Sequence, residues 1–305
     1  MHVFKFFANG NPVLKWLLHL GALMALGAVA LAAYTVLVLA PGLPSLEAVT
    51  DYRPKLPLRV YTADHVLIGE FGQERRDFVP IAETPAVLKN ALLSIEDARF
   101  YSHGGVDFIG LARAFSGGLR EGASTITMQV ARNFYLTQER TVTRKLREAL
   151  LTYRIEDALT KDQILELYMN QIYLGQRSYG FSSAARTYFG KTLPELSLAQ
   201  AAMLAGVPKN PLRHNPVANF ERAKQRQVVV LKSMLRNDYI TQAQFDQASA
   251  ERITIQDGPS VGAHGAYVAE MVRQSVFAQH GEATYTMGLK VVTTINQAEQ
   301  LAAYE

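Results

Sequence analysis

The pattern of apolar residues divides the chain into an N-terminal apolar segment and a longer, mostly helical part. Almost every residue from Trp16 to Ala40 is apolar, and no charged residue occurs between Lys15 and Glu47. An apolar stretch of about 20 residues can cross a bilayer as a helix. A cleavable signal peptide is the alternative, but its apolar region is usually only about 7–15 residues long. We therefore predict one uncleaved transmembrane helix over residues 16–40.

The charges that flank this segment predict its orientation. Lys5 and Lys15 precede the span, and no acidic residue occurs before Glu47. By the positive-inside rule, residues 1–15 lie in the cytoplasm and the rest of the chain lies outside.

The period of the apolar positions changes after the span. Residues 41–84 read as a proline-rich linker that ends in a β-hairpin, because Leu58–Phe71 is rich in β-branched and aromatic residues around a turn near Asp64. Residues 251–305 read as a connector with one strand-like segment, Gly288–Ile295. Since two strands alone are marginally stable, we predict that the hairpin pairs with this segment in a small sheet.

Between these linkers, residues 85–250 show apolar positions three and four residues apart, which predicts helices. The first helix ends near Phe100. The segment "ERTVTRKLREALLTYRIEDALT", from Glu139, predicts one long helix, and "KDQILELYMNQIYLG" predicts another that is closed by Gly175. A further helix begins after Ser197 as N-cap and stops before Pro208.

Composition excludes several classes of chemistry. The 305 residues contain no cysteine, so disulfides, thiolate metal sites and a cysteine nucleophile are excluded. The net charge of +4 is modest and spread out. It favours anionic lipid or phosphate only slightly over nucleic acid, and no nucleic-acid partner is expected.

One short segment, "SIEDARFYSHGG", carries the first candidate chemistry. It places two acids, Glu96 and Asp97, at the end of an apolar helix and before a glycine-containing loop with His103. No second histidine follows at metal-binding spacing, so we interpret His103 as a structural or substrate-orienting residue and not as a ligand.

Three further patterns carry polar groups, each with an ordinary structural alternative. "GASTITMQVARN" places Ser124 and Thr125 at a helix start, where free amides suit an anion; a simple N-capped helix has the same pattern. "RKLRE", Arg144–Glu148, places a glutamate and two cations on one helix face, which could also be a solvated salt-bridged face. "KDQILELYMN" places Glu166 and Asn170 on one face, where buried structural contacts are the alternative.

In this order, the patterns resemble the glycosyltransferase module of class A penicillin-binding proteins, from about Val60 to the C-terminus. The five signature blocks of that family are present: "EDARFYSHGG", "GASTITMQ", "RKLRE" with "ILELYMNQIYLG", "YGFSSAARTYFGK" and "LSLAQAAMLAGVPKNPLRHNP". The early hairpin and the "YVAEMVRQ" connector match the 1A type of the family. Met128 stands where the family usually has a first glutamine. The Ser-x-x-Lys and Lys-Thr-Gly motifs of transpeptidases do not occur, so we expect no transpeptidase domain in this chain.

The resemblance implies a mainly α fold, with a lysozyme-like helical glycosyltransferase domain, one N-terminal transmembrane helix and a small β-sheet formed by the flanking linkers. It implies an enzyme that polymerises lipid II into β-1,4 glycan strands, with inversion at the anomeric carbon and release of polyprenyl pyrophosphate. The implied partners are lipid II, the growing glycan strand, the lipid bilayer and other cell-wall synthesis proteins. The implied location is the bacterial inner membrane, single-pass, with a periplasmic catalytic domain.

The resemblance also assigns residues. Glu96 corresponds to the general base and Glu148 to the second catalytic glutamate. Glu148 is expected either to hold a divalent cation, Mg²⁺ above all because the site offers hard oxygen ligands, or to position the cations around the phosphates. No organic cofactor is expected. Substrate and pyrophosphate binding is implied for His103, Ser124, Thr125, Gln129, Arg132, Asn133, Arg144, Lys145, Tyr168 and Asn170.

Two matters stay open at this point. The apolar segment "VDFIGLARAF", Val106–Phe115, is expected either to dip into the outer leaflet or to be a core helix. The function has three alternatives: a lysozyme-like lytic enzyme that cuts glycan strands, a non-catalytic membrane adaptor, and a free-standing monofunctional glycosyltransferase.

Overall fold

The computed structural model describes residues 12–52, 54–116, 124–136, 141–256 and 265–304. Predictions that concern Lys5, Gly122 and Glu139 therefore lie outside the described residues. In chain order, the α-helices of the described part are α1 Pro12–Tyr34, α2 Glu47–Thr50, α3 Ala86–Glu96, α4 Phe108–Ser116, α5 Ile126–Tyr135, α6 Val142–Ala158, α7 Lys161–Gln171, α8 Phe181–Phe189, α9 Leu198–Gly206, α10 Phe220–Arg236, α11 Gln242–Ala250, α12 Ala266–His280 and α13 Gln297–Tyr304. The strands are β1 Leu58–Tyr61, β2 Leu67–Phe71, β3 Arg75–Arg76, β4 Ser178–Tyr179 and β5 Lys290–Val292.

The N-terminal helix stands apart from the rest of the protein. Helix α1 continues through a π-helical turn, Thr35–Leu39, and a 3₁₀ turn, Ala40–Gly42. Within the described residues, Lys15–Gly42 is the helix that is long and apolar enough to cross a membrane, with 28 residues that are almost all exposed. Length and composition make it a candidate membrane anchor.

The segment after this helix packs against the helical domain. Leu39 is buried where the π-helical turn meets α6, and Val49 of α2 belongs to the main hydrophobic core. Arg154 of α6 donates a hydrogen bond to the carbonyl oxygen of Pro44, at 3.2 Å. The candidate anchor is therefore attached directly to the helical domain.

Helix α9 forms the centre of the helical domain. All its residues from Ala199 to Gly206 are buried, and the small alanine side chains let α3 and α10 pack closely against it. The hydroxyl of Ser233 on α10 donates to the carbonyl oxygen of Ser94 on α3, at 2.6 Å. This contact fixes the C-terminal end of α3, where Glu96 lies. Ser197 caps α9 as predicted, and the helix ends before Pro208.

The two linkers that flank the helical domain form one sheet with strand order β2-β1-β5. Strand β1 pairs with β2 in antiparallel and with β5 in parallel orientation, which confirms the predicted pairing. Helix α12 covers one face of the sheet. Gly69 is required there, because an added Cβ would lie 2.6 Å from the Cβ of Ala269.

Buried ion pairs join this sheet to the helical domain. Arg59 of β1 donates to Glu70 of β2 at 2.9 Å and to Asp77 at 2.9 Å. Asp77 also accepts from Ser182 at 3.0 Å and pairs with Arg186 of α8 at 3.1 Å. The carboxylate of Asp77 thus links the sheet to α8.

The predicted end of α7 at Gly175 is wrong. The helix ends at Gln171, because Ile172 is extended and Tyr173 forms an isolated bridge with Tyr179. Gly175 instead adopts φ +88° in the turn between these residues.

Candidate active site

Glu96 is the last residue of α3, and it is partly buried. Its Oε2 accepts a hydrogen bond from Nε2 of Gln129 on α5, at 2.8 Å. Oε1 of Gln129 in turn accepts from the hydroxyl of Tyr168 on α7, at 3.2 Å. Three helices therefore meet at one carboxyl group.

Burial raises the pKa of Glu96 above its usual value of 4.5. The hydrogen bond from Gln129 opposes this shift, and so do the nearby charges of Arg226, Lys209 and Arg132. The net direction is upward, so Glu96 holds a proton more readily than an exposed glutamate does. Such a group is suited to proton transfer near neutral pH.

Asp97, the neighbour of Glu96, has a structural task. Its carboxylate accepts from His103 Nε2 at 2.9 Å and from the backbone N–H of Ile126 at 3.0 Å. His103 Nδ1 accepts a hydrogen bond from the N–H of Gly105, so Nε2 is the protonated ring nitrogen and donates the hydrogen bond to Asp97. Both residues are buried, and they lock the loop after α3 to the start of α5.

The prediction that the start of α5 offers free amides to an anion is wrong for the N–H groups of Ile126 and Met128. The N–H of Ile126 is held by Asp97, and the N–H of Met128 is held by the hydroxyl oxygen of Thr125. The hydroxyl of Thr125 also donates to the carbonyl oxygen of Gly105. A carboxylate of the chain itself therefore occupies the position foreseen for a substrate anion.

A second carboxylate, Glu148 on α6, is completely buried. Its Oε2 accepts from Arg144 at 2.6 Å, and its Oε1 accepts from Lys145. Lys145 also donates to the hydroxyl of Ser124 at 3.1 Å, which joins this cluster to the start of α5. The alternative of a solvated salt-bridged face does not hold for Glu148, because the carboxylate has no exposed surface.

The donor set at Glu148 does not fit a divalent cation. Both of its oxygens already face cationic side chains, and a metal ion would be repelled by them. Among the described residues, no group of three or more His, Cys, Asp or Glu residues is placed to hold a metal. Of the two expected roles of Glu148, the geometry fits the positioning of Arg144 and Lys145.

A cavity of about 590 Å³ lies beside Glu96. Its walls combine a few acids with several cations and come mainly from α3, α4 and α10, and they include Glu96, Asp97, Arg99, Asp107, Arg113, Thr125, Lys209, Arg226 and Arg236. Among these, Asp97 is held by His103, and Asp107 is held by Arg99. The cavity is thus a cationic space, and of the three acids in its wall Glu96 is the one that forms no salt bridge among the described residues.

Lys209 and Arg226 are site residues that the sequence analysis missed. Lys209 lies in the stretch "VPKNP" of the fifth signature block, to which the sequence analysis gave no site residue. Arg226 lies on α10, 130 positions beyond Glu96 in the numbering, and no local pattern marks it. Its Nε is buried and has no hydrogen-bond partner among the described residues, and burial lowers the pKa of Arg226.

The remaining predicted site residues are spread around this centre. Arg132 on α5 acts electrostatically on both Glu96 and Tyr168, and Asn133 is exposed. Asn170 is not at the cavity: its amide accepts from Val79 N–H at 2.9 Å and donates to Val79 O at 2.8 Å. These contacts match the structural alternative, in which Glu166 and Asn170 make buried structural contacts.

Helix α4 has two different faces. Phe108 and Ile109 are exposed by 66% and 63%, so the core-helix alternative does not hold at these positions. Asp107, Gly110 and Arg113 line the cavity. An exposed apolar surface therefore borders the cationic cavity.

The chain is similar to known proteins over most of its length. The family model for the transglycosylase matches residues 64–235, which contain all five signature blocks. Penicillin-binding protein 1A of Neisseria flavescens is 52% identical over 288 residues, or 92% of this chain and 36% of that protein. Penicillin-binding protein 1A of Escherichia coli strain K12 is 45% identical over 271 residues, or 87% of this chain and 32% of that protein.

A crystal structure of penicillin-binding protein 1A from Haemophilus influenzae is 34% identical, with a TM-score of 0.48, and covers 82% of this chain and 28% of that one. The chain thus spans about a third of the length of the curated relatives that it matches. Because the family model covers more than half of the chain, including both Glu96 and Glu148, the chain belongs to the transglycosylase family.

Proposed function

We propose that this protein is a peptidoglycan glycosyltransferase that polymerises lipid II into β-1,4 glycan strands. The observation that supports this most strongly is the position of Glu96, a partly buried carboxyl group with a raised pKa at the wall of a cationic cavity. The family match supports the reaction type, and the resemblance to class A penicillin-binding proteins supplies the substrate.

Glu96 acts as the general base in this proposal. The 4-hydroxyl oxygen of the acceptor sugar attacks the anomeric carbon of the donor as its proton passes to the carboxylate of Glu96. The bond from that carbon to the pyrophosphate oxygen breaks, and its electron pair leaves with the pyrophosphate. Because acceptor and leaving group lie on opposite faces of the carbon, the configuration inverts. A positioned base typically accelerates such a step about 10²–10⁴-fold.

The Glu148 cluster binds the donor pyrophosphate. The side chain of Lys145 is 45% exposed and is therefore accessible to a ligand. The buried Glu148 holds Lys145 and Arg144 in place on one face of α6. Fixed cations stabilise the charge that develops on the leaving group without reorganisation during the reaction. The hydroxyl of Ser124 already accepts a hydrogen bond from Lys145 and can take part in the same binding site.

The cavity beside Glu96 receives the acceptor. Its hydroxyl must come within hydrogen-bond reach of Glu96, and the acceptor carries a pyrophosphate of its own. Lys209 and Arg226 face this space and supply the charges that complement it. Donor and acceptor thus have separate groups of cations, Arg144 and Lys145 for the first and Lys209 and Arg226 for the second.

The substrate's polyprenyl tail explains the exposed apolar surfaces. We infer that Phe108 and Ile109 of α4 contact the outer leaflet, and that Lys15–Gly42 anchors the chain in the inner membrane with the catalytic domain in the periplasm. The bilayer then presents lipid II directly to the cavity that α4 borders. Other cell-wall synthesis proteins are the partners that this location favours. Mg²⁺ would bind the substrate's phosphates, since both oxygens of Glu148 are already paired with cationic side chains.

A lytic enzyme is the rival that one observation favours. Burial alone raises the pKa of Glu96, and a raised pKa also suits a general acid that protonates a glycosidic oxygen. The cations decide between the two readings, because Arg132, Arg144 and Lys145 assist only a leaving group that is an anion.

Polymerisation of lipid II in detergent tests the proposal. With labelled lipid II and Mg²⁺, the purified protein should make long glycan and release polyprenyl pyrophosphate, both separable by electrophoresis and chromatography. The Glu96→Gln variant, made and purified in parallel, should make none. Glycan formation that survives in this variant at a third of the wild-type rate would remove Glu96 from the mechanism.

A further inference from the structure

The geometry points to Tyr168 as a positioning residue that acts on Glu96 through Gln129 and does not touch the substrate. This inference rests on the proposed function in one respect, namely that Glu96 acts as the general base. The hydrogen bonds that carry it, from Tyr168 to Gln129 and from Gln129 to Glu96, stand without that function.

The burial of Tyr168 separates it from the substrate. Its side chain is 1% exposed, and it does not line the cavity beside Glu96. The phenol hydroxyl has Gln129 as its hydrogen-bond partner, at 3.2 Å. The hydrogen-bonded route from this hydroxyl to Glu96 therefore passes through the amide of Gln129.

The amide of Gln129 has two ends of opposite character. Its oxygen only accepts hydrogen bonds, and its nitrogen only donates them. With the hydroxyl of Tyr168 donating to the oxygen, the nitrogen faces Glu96 and donates to the carboxylate. If the amide turned over, its oxygen would face the carboxylate and repel it. Tyr168 therefore satisfies the amide oxygen in the orientation that stabilises the ionised, proton-accepting form of Glu96.

The hydroxyl also suits the step after proton transfer. Once Glu96 has taken a proton, its O–H can donate to an amide oxygen, and the turned-over Gln129 supplies one. A hydroxyl both donates and accepts, so Tyr168 can then accept from the amide nitrogen. The three groups thus form a relay that satisfies its hydrogen bonds in both protonation states of Glu96. The relay is stronger in the ionised state, where the amide nitrogen donates to a charged carboxylate.

Other charged groups also act on Glu96 and must be held constant in a test. Arg132 lies on α5, Arg226 on α10, and Lys209 in the turn after α9. Exchanging Tyr168 for phenylalanine leaves all three cations in place. It keeps the ring volume in the core and removes only the hydroxyl.

The pH dependence of lipid II polymerisation distinguishes positioning from a packing role. The base works when it is ionised, so the rate falls as pH drops through the pKa of Glu96. In Tyr168→Phe the carboxylate loses stabilisation, and the acid limb of kcat should move to higher pH by about half a unit, or about threefold in acid dissociation constant. KM for lipid II on the plateau should stay unchanged.

Tyr188→Phe is the matched control. Tyr188 is equally buried, and its hydroxyl donates to the carbonyl oxygen of Leu174 at 2.5 Å, away from Glu96. It should lose comparable stability and keep the wild-type acid limb. Gln129→Met removes the central residue of the relay and should move the acid limb of kcat to a still higher pH. The double variant Gln129→Met, Tyr168→Phe should show no further shift of this limb.

A shift of equal size in Tyr168→Phe and Tyr188→Phe, or no shift in Tyr168→Phe, would overturn the inference. A raised KM with an unmoved limb would do the same, since it would place Tyr168 in contact with substrate. Difference infrared titration of the Glu96 carboxyl band, assigned by its loss in Glu96→Gln, gives a readout without lipid II. If the wild-type protein does not polymerise lipid II, the proposed function fails, while this titration still tests the relay.

Discussion

Replacing Glu96 by glutamine should inactivate the enzyme and stabilise the fold at the same time. The two effects have one cause: an acid that must be ionised for catalysis is kept in a buried place. A carboxylate offers about four acceptor positions, and in this site Gln129 fills one of them, whereas the three nearby cations act at longer range. Glutamine keeps an oxygen for Gln129 and removes the buried charge.

The magnitudes follow from these contacts. Loss of a general base should lower kcat by about 10²–10⁴-fold, with binding of lipid II largely intact. Relief of one poorly compensated buried charge should raise the free energy of unfolding by about 1 kcal/mol near pH 8. For a domain of this size, that corresponds to about 2–4 °C in Tm.

The sign of the pH dependence is fixed by the raised pKa of Glu96. A group with a raised pKa in the folded state favours folding when it is protonated, and this contribution is lost as pH rises through the folded pKa. The wild type should therefore be less stable than Glu96→Gln at pH 8. The difference should shrink as pH falls and vanish near the usual glutamate pKa of 4.5.

Thermal unfolding of both proteins between pH 4 and pH 8 measures this difference, and turnover of lipid II measures the loss of activity. The exposed Glu83 provides a control, because Glu83→Gln should alter neither quantity. A Glu96→Gln protein that is less stable than the wild type at pH 8 would refute the reasoning that links burial, charge and catalysis at this residue.

Two further predictions concern the cations and the sheet. Arg144→Ala and Lys145→Ala should each weaken binding of a pyrophosphate-bearing donor analogue, and of a phosphoglycolipid inhibitor of the moenomycin type, by about tenfold in calorimetry; unchanged affinity in both would mean that this face only forms salt bridges. Arg59→Met should lower the free energy of unfolding by about 3 kcal/mol, because it removes the buried cation that the partly buried carboxylates of Glu70 and Asp77 share. Hydrogen exchange should then rise first in β1 and β2, and uniform exchange across the protein would contradict a link made by Arg59.

The sequence was sufficient to predict those parts that depend on local patterns. The apolar period predicted a helix that ends near Phe100, with Glu96 close to its end, and the structure ends α3 four residues earlier, at Glu96 itself. The β-rich linker segments predicted their own pairing, because two lone strands need a partner. The i, i+3 and i, i+4 spacing of Lys145 and Arg144 to Glu148 predicted one shared cluster on α6.

Contacts between distant segments could not be predicted in the same way. The amides at the start of α5 looked free, yet Asp97, 29 residues earlier, reaches one of them. The hydrogen bond from Tyr168 to Gln129 joins residues that are 39 positions apart, so Tyr168 looked like a substrate contact. Arg226 has no signature of its own, and only the packing of α10 against α3 brings it to the cavity.

Synthesis and cleavage of glycan can be separated in a single comparison, which tests the central claim directly. The protein is given either lipid II or finished, uncrosslinked glycan strands, and chain length and released polyprenyl pyrophosphate are followed over time. The account predicts that lipid II becomes long glycan and that finished strands stay intact, because Glu96 needs an acceptor hydroxyl and the cations need an anionic leaving group. Shortening of finished strands, with lipid II left unused, would contradict it and would assign Glu96 to a lytic reaction.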